Sequence, residues 1–354
     1  MAKAVESGTT VSQAHSTTAV GTASTDKKSR SLAIDRARGL GIALVVWGHL
    51  ATAATPGLPT WFYISVSVIY SFHMPLFMYL SGFVFFLSRS HERFWEHPAK
   101  QVWNRFDRLM VPCIAFALIT VTGKVLLLND GTLSEYLQLM QQALEMTITN
   151  ERGNPVLSIW YLIVLFLYSV IVPIILKPLP KPALFLVVIG FLLWAFTFPE
   201  AFYIERIAQY LVFFAIGGAV ATYRSQVLPR VSAWYIPITL VFMLSCYLLL
   251  ADEYALLICG IASTFAIHGL FMQKFWDRDR LFLFLGRNSM AIYLLNTIVI
   301  GLAQIAYVRY LPYQGNWFLI YSPLVFILAI LLPVAVRHIL GLDPRGSFLQ
   351  RYFN

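Results

Sequence analysis

Charge is what this chain of 354 residues has least of: Asp, Glu, Lys and Arg make up 12% of it, against 58% hydrophobic residues. A soluble domain carries roughly 25% charged residues, so a soluble enzyme is excluded and a polytopic membrane protein is indicated. Cysteine is also scarce. Cys113, Cys246 and Cys259 all fall in apolar segments, which leaves no readable disulfide framework and no metal-ligand spacing. Carboxylates are absent from the deep parts of the apolar runs. The first thirty residues lack an apolar run long enough for a signal peptide. Rich in Ser, Thr and Ala, residues 1–32 read as a disordered cytoplasmic tail.

What is present is a series of apolar windows. Ten candidate spans lie near 37–55, 62–88, 106–128, 157–176, 182–198, 205–223, 233–250, 255–272, 288–308 and 318–340, with the longest loop at 129–156. The fold class is therefore all-α, with one membrane domain over 33–345 and a short C-terminus at 346–354. Pro75, Pro173, Pro323 and Pro333 interrupt spans, which is tolerated where neighbours satisfy the freed carbonyls. With the N-terminus inside, all of the 26 Lys and Arg except Lys124, Arg152, Arg206 and Arg309 fall on the inner side. Both termini are then expected in the cytoplasm and the protein in the inner (plasma) membrane of a bacterium. The net charge of +9 follows from this asymmetry and from attraction to anionic lipid, so no nucleic-acid partner is needed.

Histidine inside such a run is expensive, and His49 is the only ionisable side chain between Leu40 and Ala54. Arg38 stands eleven positions earlier, about 16 Å along a helix, so a cation at one membrane face precedes an imidazole near mid-depth. His73 on the second span falls at a similar depth, with Ser71, Tyr79 and Ser81 available to line a polar cavity. Arg105 and Arg108 open the third span one helical turn apart. With Arg38 they form a basic rim able to hold phosphates by bidentate contacts, although positive-inside flanking accounts for basic residues at most loops. Arg278, Arg280 and Arg287 are read as such flanking. On the outer side, loops 51–61 and 129–156 carry few cations and include Trp61, Asn150 and Asn154 as candidate contacts for a ligand from outside.

The strings IDRARGLGIALVVWGHL at 34–50, SFHMPLFMYLSGFVF at 71–85, NRFDRLMVP at 104–112, IWYLIVLF at 159–166 and GRNSMAIYLLN at 286–296 resemble the acyltransferase-3 family. Its members are membrane acyltransferases of bacterial surface polysaccharides and other acceptors. The resemblance implies about ten spans and acyl transfer to a hydroxyl from acyl-CoA arriving on the cytoplasmic side. No permanently bound cofactor or metal is expected. By matching position, His49 would be the essential histidine and Arg38 its paired cation. Arg105 and Arg108 would match the arginine pair opening the third span and join Arg38 in binding the donor; beside this, His73, Ser81, Tyr293 and Asn296 are read as lining the substrate cavity. Asn296 departs from the histidine common at its position, and an amide cannot shuttle a proton near neutral pH. The function expected is O-acyl transfer, with acetyl from acetyl-CoA as the group, to a sugar of an exopolysaccharide, lipopolysaccharide or similar glycan. A lipid or small-molecule acceptor remains open, as does a proton-coupled transporter or flippase. No carboxylate lies at helical spacing from His49, so its orienting partner is not readable locally.

Overall fold

Twenty-residue apolar runs can satisfy their backbone polar groups in a bilayer only as helices. The computed structural model describes residues 14–50, 58–128, 132–149, 156, 159–177, 179, 181–249, 252, 254–310, 317–342 and 350–353. Among these residues every regular element is helical and no strand occurs. The chain runs through α1 (Ala14–His49), α2 (Thr60–Tyr70), α3 (His73–Leu87), α4 (Ser90–Arg93) and α5 (Pro98–Arg105). A π-helical turn at Phe106–Met110 then leads into α6 (Val111–Leu128), followed by α7 (Leu133–Thr149), α8 (Trp160–Leu176) and α9 (Pro182–Trp194). The second half holds α10 (Ile204–Thr222), α11 (Arg224–Ala233), α12 (Tyr235–Leu248), α13 (Ala255–Phe271), α14 (Leu281–Arg287), α15 (Ser289–Tyr310) and α16 (Trp317–Leu342).

Five stretches are long and apolar enough to cross a membrane: Thr60–Leu87, Pro98–Leu126, Ala201–Thr222, Ser289–Ala306 and Trp317–Leu342. The pair α11 and α12, bent by 76°, would make a sixth. The α8, α9 and α13 helices are apolar but shorter, so length and composition alone do not reach the expected ten among the described residues. The windows at 62–88 and at 106–128 onward each coincide with helix, while 51–57, Asn150 and Asn154 lie outside the described residues. Of the expected tail, residues 1–13 also lie outside them, and the helix of the first span extends back to Ala14.

Two departures have local causes. The window at 62–88 is divided at Ser71–Phe72, where Phe72 leaves helical geometry at φ −141° and Pro75 sits in the first turn of α3. A first-turn proline costs no intrahelical hydrogen bond, so the break re-aims α3 cheaply. The expected loop at 129–156 contains α7. Its start carries one half of a capping box, with Glu135 accepting the Thr132 backbone N–H at 2.8 Å. Tyr136, Leu139, Met140, Ala143 and Leu144, at helical spacing, pack on the core beneath. The helix is pinned by Tyr203, whose hydroxyl donates to the Thr147 carbonyl at 2.6 Å. Phe202 (φ 53°) and Tyr203 (φ 62°) are both left-handed, a conformation that costs on the order of 1–3 kcal/mol per residue.

Among the described residues the interior holds two large apolar clusters and a small third one at Cys246, Ala255 and Cys259. One of the large clusters is built on α3, α8, α9 and α10; the other joins α1, α6, α15 and α16. Close backbone approach at glycine sets both. A Cβ on Gly82 would collide with the Phe214 carbonyl, and one on Gly217 with the Tyr79 carbonyl, so α3 and α10 touch along their backbones. Gly39 and Gly286 do the same for α1 and α14, facing the Phe282 and Asp35 carbonyls. Beside that contact Arg36 is buried against Asp279 at 3.5 Å. Asp279 also accepts the backbone N–H groups of Phe282 and Leu283 at 3.1 and 3.3 Å, capping α14.

Candidate functional site

The glycine contact between α1 and α14 places Gly39 level with Gly286. His49 lies ten residues along from the first and Asn296 ten residues along from the second. At about 1.5 Å per residue α1 advances about 15 Å from Gly39 to His49, and the chain from Gly286 turns at Asn288 into α15 and arrives beside it. They meet there through side chains: His49 Nδ1 lies 2.9 Å from Asn296 Oδ1. The partner that the sequence around His49 does not reveal is thus 247 positions away. His49 is half-buried and Asn296 fully buried.

His49 ends α1, and its flanking carbonyls are braced. The Tyr70 hydroxyl donates to the Gly48 carbonyl at 2.9 Å and the Gln304 amide donates to the Leu50 carbonyl at 3.1 Å. His73 stands beside the Tyr70 ring, with centroids 5.1 Å apart, and donates from Nδ1 to the Ile69 carbonyl at 2.8 Å. It is close enough to His49 for a charge on one to be felt by the other. On the other side of His49, Trp47 donates from its indole to Ser65 Oγ at 3.0 Å. Its ring packs with Trp61, Phe62 and Phe326. Trp61 remains 45% exposed at the edge of this aromatic group.

A second polar group joins α3, α8 and α15. Ser81 Oγ and the Tyr161 hydroxyl are 2.7 Å apart, and the Tyr161 ring contacts both Tyr293 and Phe77, at 5.7 and 5.8 Å. Tyr293 precedes Asn296 by one turn of α15. Tyr161, which sequence reasoning passed over inside an apolar string, therefore joins Ser81 to Tyr293. Arg38 itself pairs with Asp35 at 3.9 Å. Burial pushes the Asp35 carboxyl up, and Arg38 and Arg287 pull it back down.

Arg105 is fixed separately. It donates to Ser90 Oγ at 3.0 Å and lies over the Phe85 ring at 5.9 Å, while Arg108 and Arg93 stand near enough to repel it. Arg108 falls in the π-helical turn. Pro112, four residues later, has no N–H to offer the Arg108 carbonyl, and its ring crowds that carbonyl, which accounts for the widened turn. The same turn presents Asp107 to Arg351 at 3.1 Å and to the Tyr352 hydroxyl at 2.9 Å.

His268 was not singled out in the sequence. It is fully buried, and its Nδ1 lies 2.7 Å from the Tyr79 hydroxyl. It belongs to the α3–α13 packing. The three cysteines are free and buried. A family model described as an acyltransferase domain, of the acyltransferase-3 type, matches residues 31–338. No curated protein and no solved structure matches the chain.

Proposed function

The chain belongs to the acyltransferase-3 family, and from that premise we propose that this multi-pass membrane enzyme moves an acyl group from acyl-CoA to a sugar hydroxyl, with His49 as general base. Acetyl is the group we assign, and an exopolysaccharide or lipopolysaccharide sugar the acceptor. The observation that carries the reading is the His49–Asn296 pair, with Tyr293, Tyr161 and Ser81 in contact with one another beside it.

A hydroxyl attacks a thioester poorly unless its proton leaves as the C–O bond forms. His49 takes that proton, the tetrahedral carbon expels the CoA sulfur, and the imidazolium returns the proton to the thiolate. A base so placed contributes about 10²–10⁴-fold. Histidine suits it because its ordinary titration lies near neutrality. Arg38, Arg105 and Arg108 hold the donor's phosphates, for which the planar guanidinium is matched in shape and charge. The donor then enters from the cytoplasm and the acceptor from the opposite side of an inner membrane.

The test is thioester cleavage by purified protein in nanodiscs supplied with acetyl-CoA and a glycan acceptor. Acceptor-dependent release of CoA supports the reading. His49→Ala should lower turnover at least about 100-fold while the protein still inserts. Retention of more than a tenth of the activity would remove His49 from the mechanism, and absence of thioester cleavage would favour a carrier.

A further inference from the structure

We propose that Asn296 is the positioning residue that decides which nitrogen of His49 is basic, making it Nε2; this rests on the reading of His49 as general base. The Asn296 amide nitrogen donates twice, to the Ile292 carbonyl at 2.7 Å and to the Tyr293 carbonyl at 2.8 Å. Both partners only accept. Turning the amide over would set its oxygen against two carbonyl oxygens in a fully buried place, so the orientation has one solution. The oxygen therefore faces His49 Nδ1 at 2.9 Å. An amide oxygen donates nothing, so Nδ1 must carry the hydrogen. A neutral imidazole has one N–H, which leaves Nε2 with the lone pair.

The residue type matters as much as the position. A histidine at 296 could donate to or accept from Nδ1, so it would not select a tautomer. A carboxylate would accept from Nδ1 but could not donate to the Ile292 and Tyr293 carbonyls. The amide alone does both, and it keeps the same bond when His49 becomes imidazolium, because Nδ1 is protonated in either state. The bracing of Gly48 by Tyr70 and of Leu50 by Gln304 holds the backbone of His49 while the amide holds its ring. His73 is set by the same logic, its Nδ1 donating to the Ile69 carbonyl.

Two measurements test this. Nitrogen NMR of histidine-labelled protein, with His49 assigned by its loss in His49→Gln, should show Nδ1 protonated and Nε2 bare. The reverse would overturn the proposal whatever the variants do. In Asn296→Ala, kcat should fall about tenfold or more with KM for acetyl-CoA unchanged, and the His49 signal should shift toward the other tautomer or a mixture. Unchanged kcat and tautomer in that variant would also overturn it. If the variant fails to accumulate, the wild-type spectrum decides. Failure of the underlying reading is separate: it would show as activity surviving in His49→Ala.

Discussion

Removing the charge of Asp279 while keeping its shape should destabilise the fold more than any surface change. Arg36 and Asp279 are 3% and 7% exposed and 3.5 Å apart. Among the described residues, Arg36 Nε and Nη2 have no hydrogen-bond partner, so Asp279 is what offsets the buried guanidinium. Breaking such a pair from one side costs about 3–5 kcal/mol, because the remaining charge stays in low dielectric. Asp279→Asn removes the charge but keeps only one acceptor oxygen, so one of the two bonds that cap α14 is lost with it. Asp279→Ala loses both, for about 1 kcal/mol more. Arg36→Leu combined with Asp279→Asn should recover most of the loss, since no unpaired charge remains. The three buried free cysteines supply the assay: a thiol-reactive dye followed on heating reports their exposure as the helices separate. At about 2 °C per kcal/mol, Asp279→Asn should unfold about 5–10 °C below wild type. A shift under about 2 °C, or a double variant no better than the single, would refute the argument.

Arg105→Ala or Arg108→Ala should mainly raise KM for acetyl-CoA, with Lys rescuing only in part where contacts are bidentate; unchanged KM in steady-state kinetics of both would return the pair to topological flanking. Ser90→Ala, which releases Arg105 from its anchor, should raise the same KM by less than Arg105→Ala, and an equal or larger rise would contradict the anchoring. Gly217→Val drives a side chain into the Tyr79 carbonyl, so membrane-extracted protein should fail to run as a single species on size exclusion. A cysteine introduced near residue 150 should react with an impermeant thiol reagent applied from outside intact cells. Labelling only from the cytoplasmic side would invert the proposed topology.

How far the sequence carries can be followed residue by residue. The helices at 106–128, 205–223 and 318–340 were legible because a bilayer demands a local property, some twenty apolar residues in a row. Around α7 the signal was also local but of another kind. The Thr132–Glu135 half-box and the apolar spacing from Tyr136 to Leu144 mark an amphipathic helix, which a hydropathy window averages away. His49, Arg38 and the Arg105–Arg108 pair stood out because an ionisable group in or beside hydrocarbon is costly wherever the chain goes. Their partners did not stand out. Asn296 meets His49, Asp279 meets Arg36 and Tyr161 meets Ser81 only after helices distant in the chain have packed. Glycine at 39, 82, 217 and 286 governs that packing, and nothing in the sequence around a glycine says which carbonyl will press against it. Composition and periodicity thus determined that the chain is a helical membrane protein and where its costly residues lie. Tertiary structure alone decided what each one faces, because a hydrogen bond or ion pair depends on a few ångströms between helices rather than on distance along the chain.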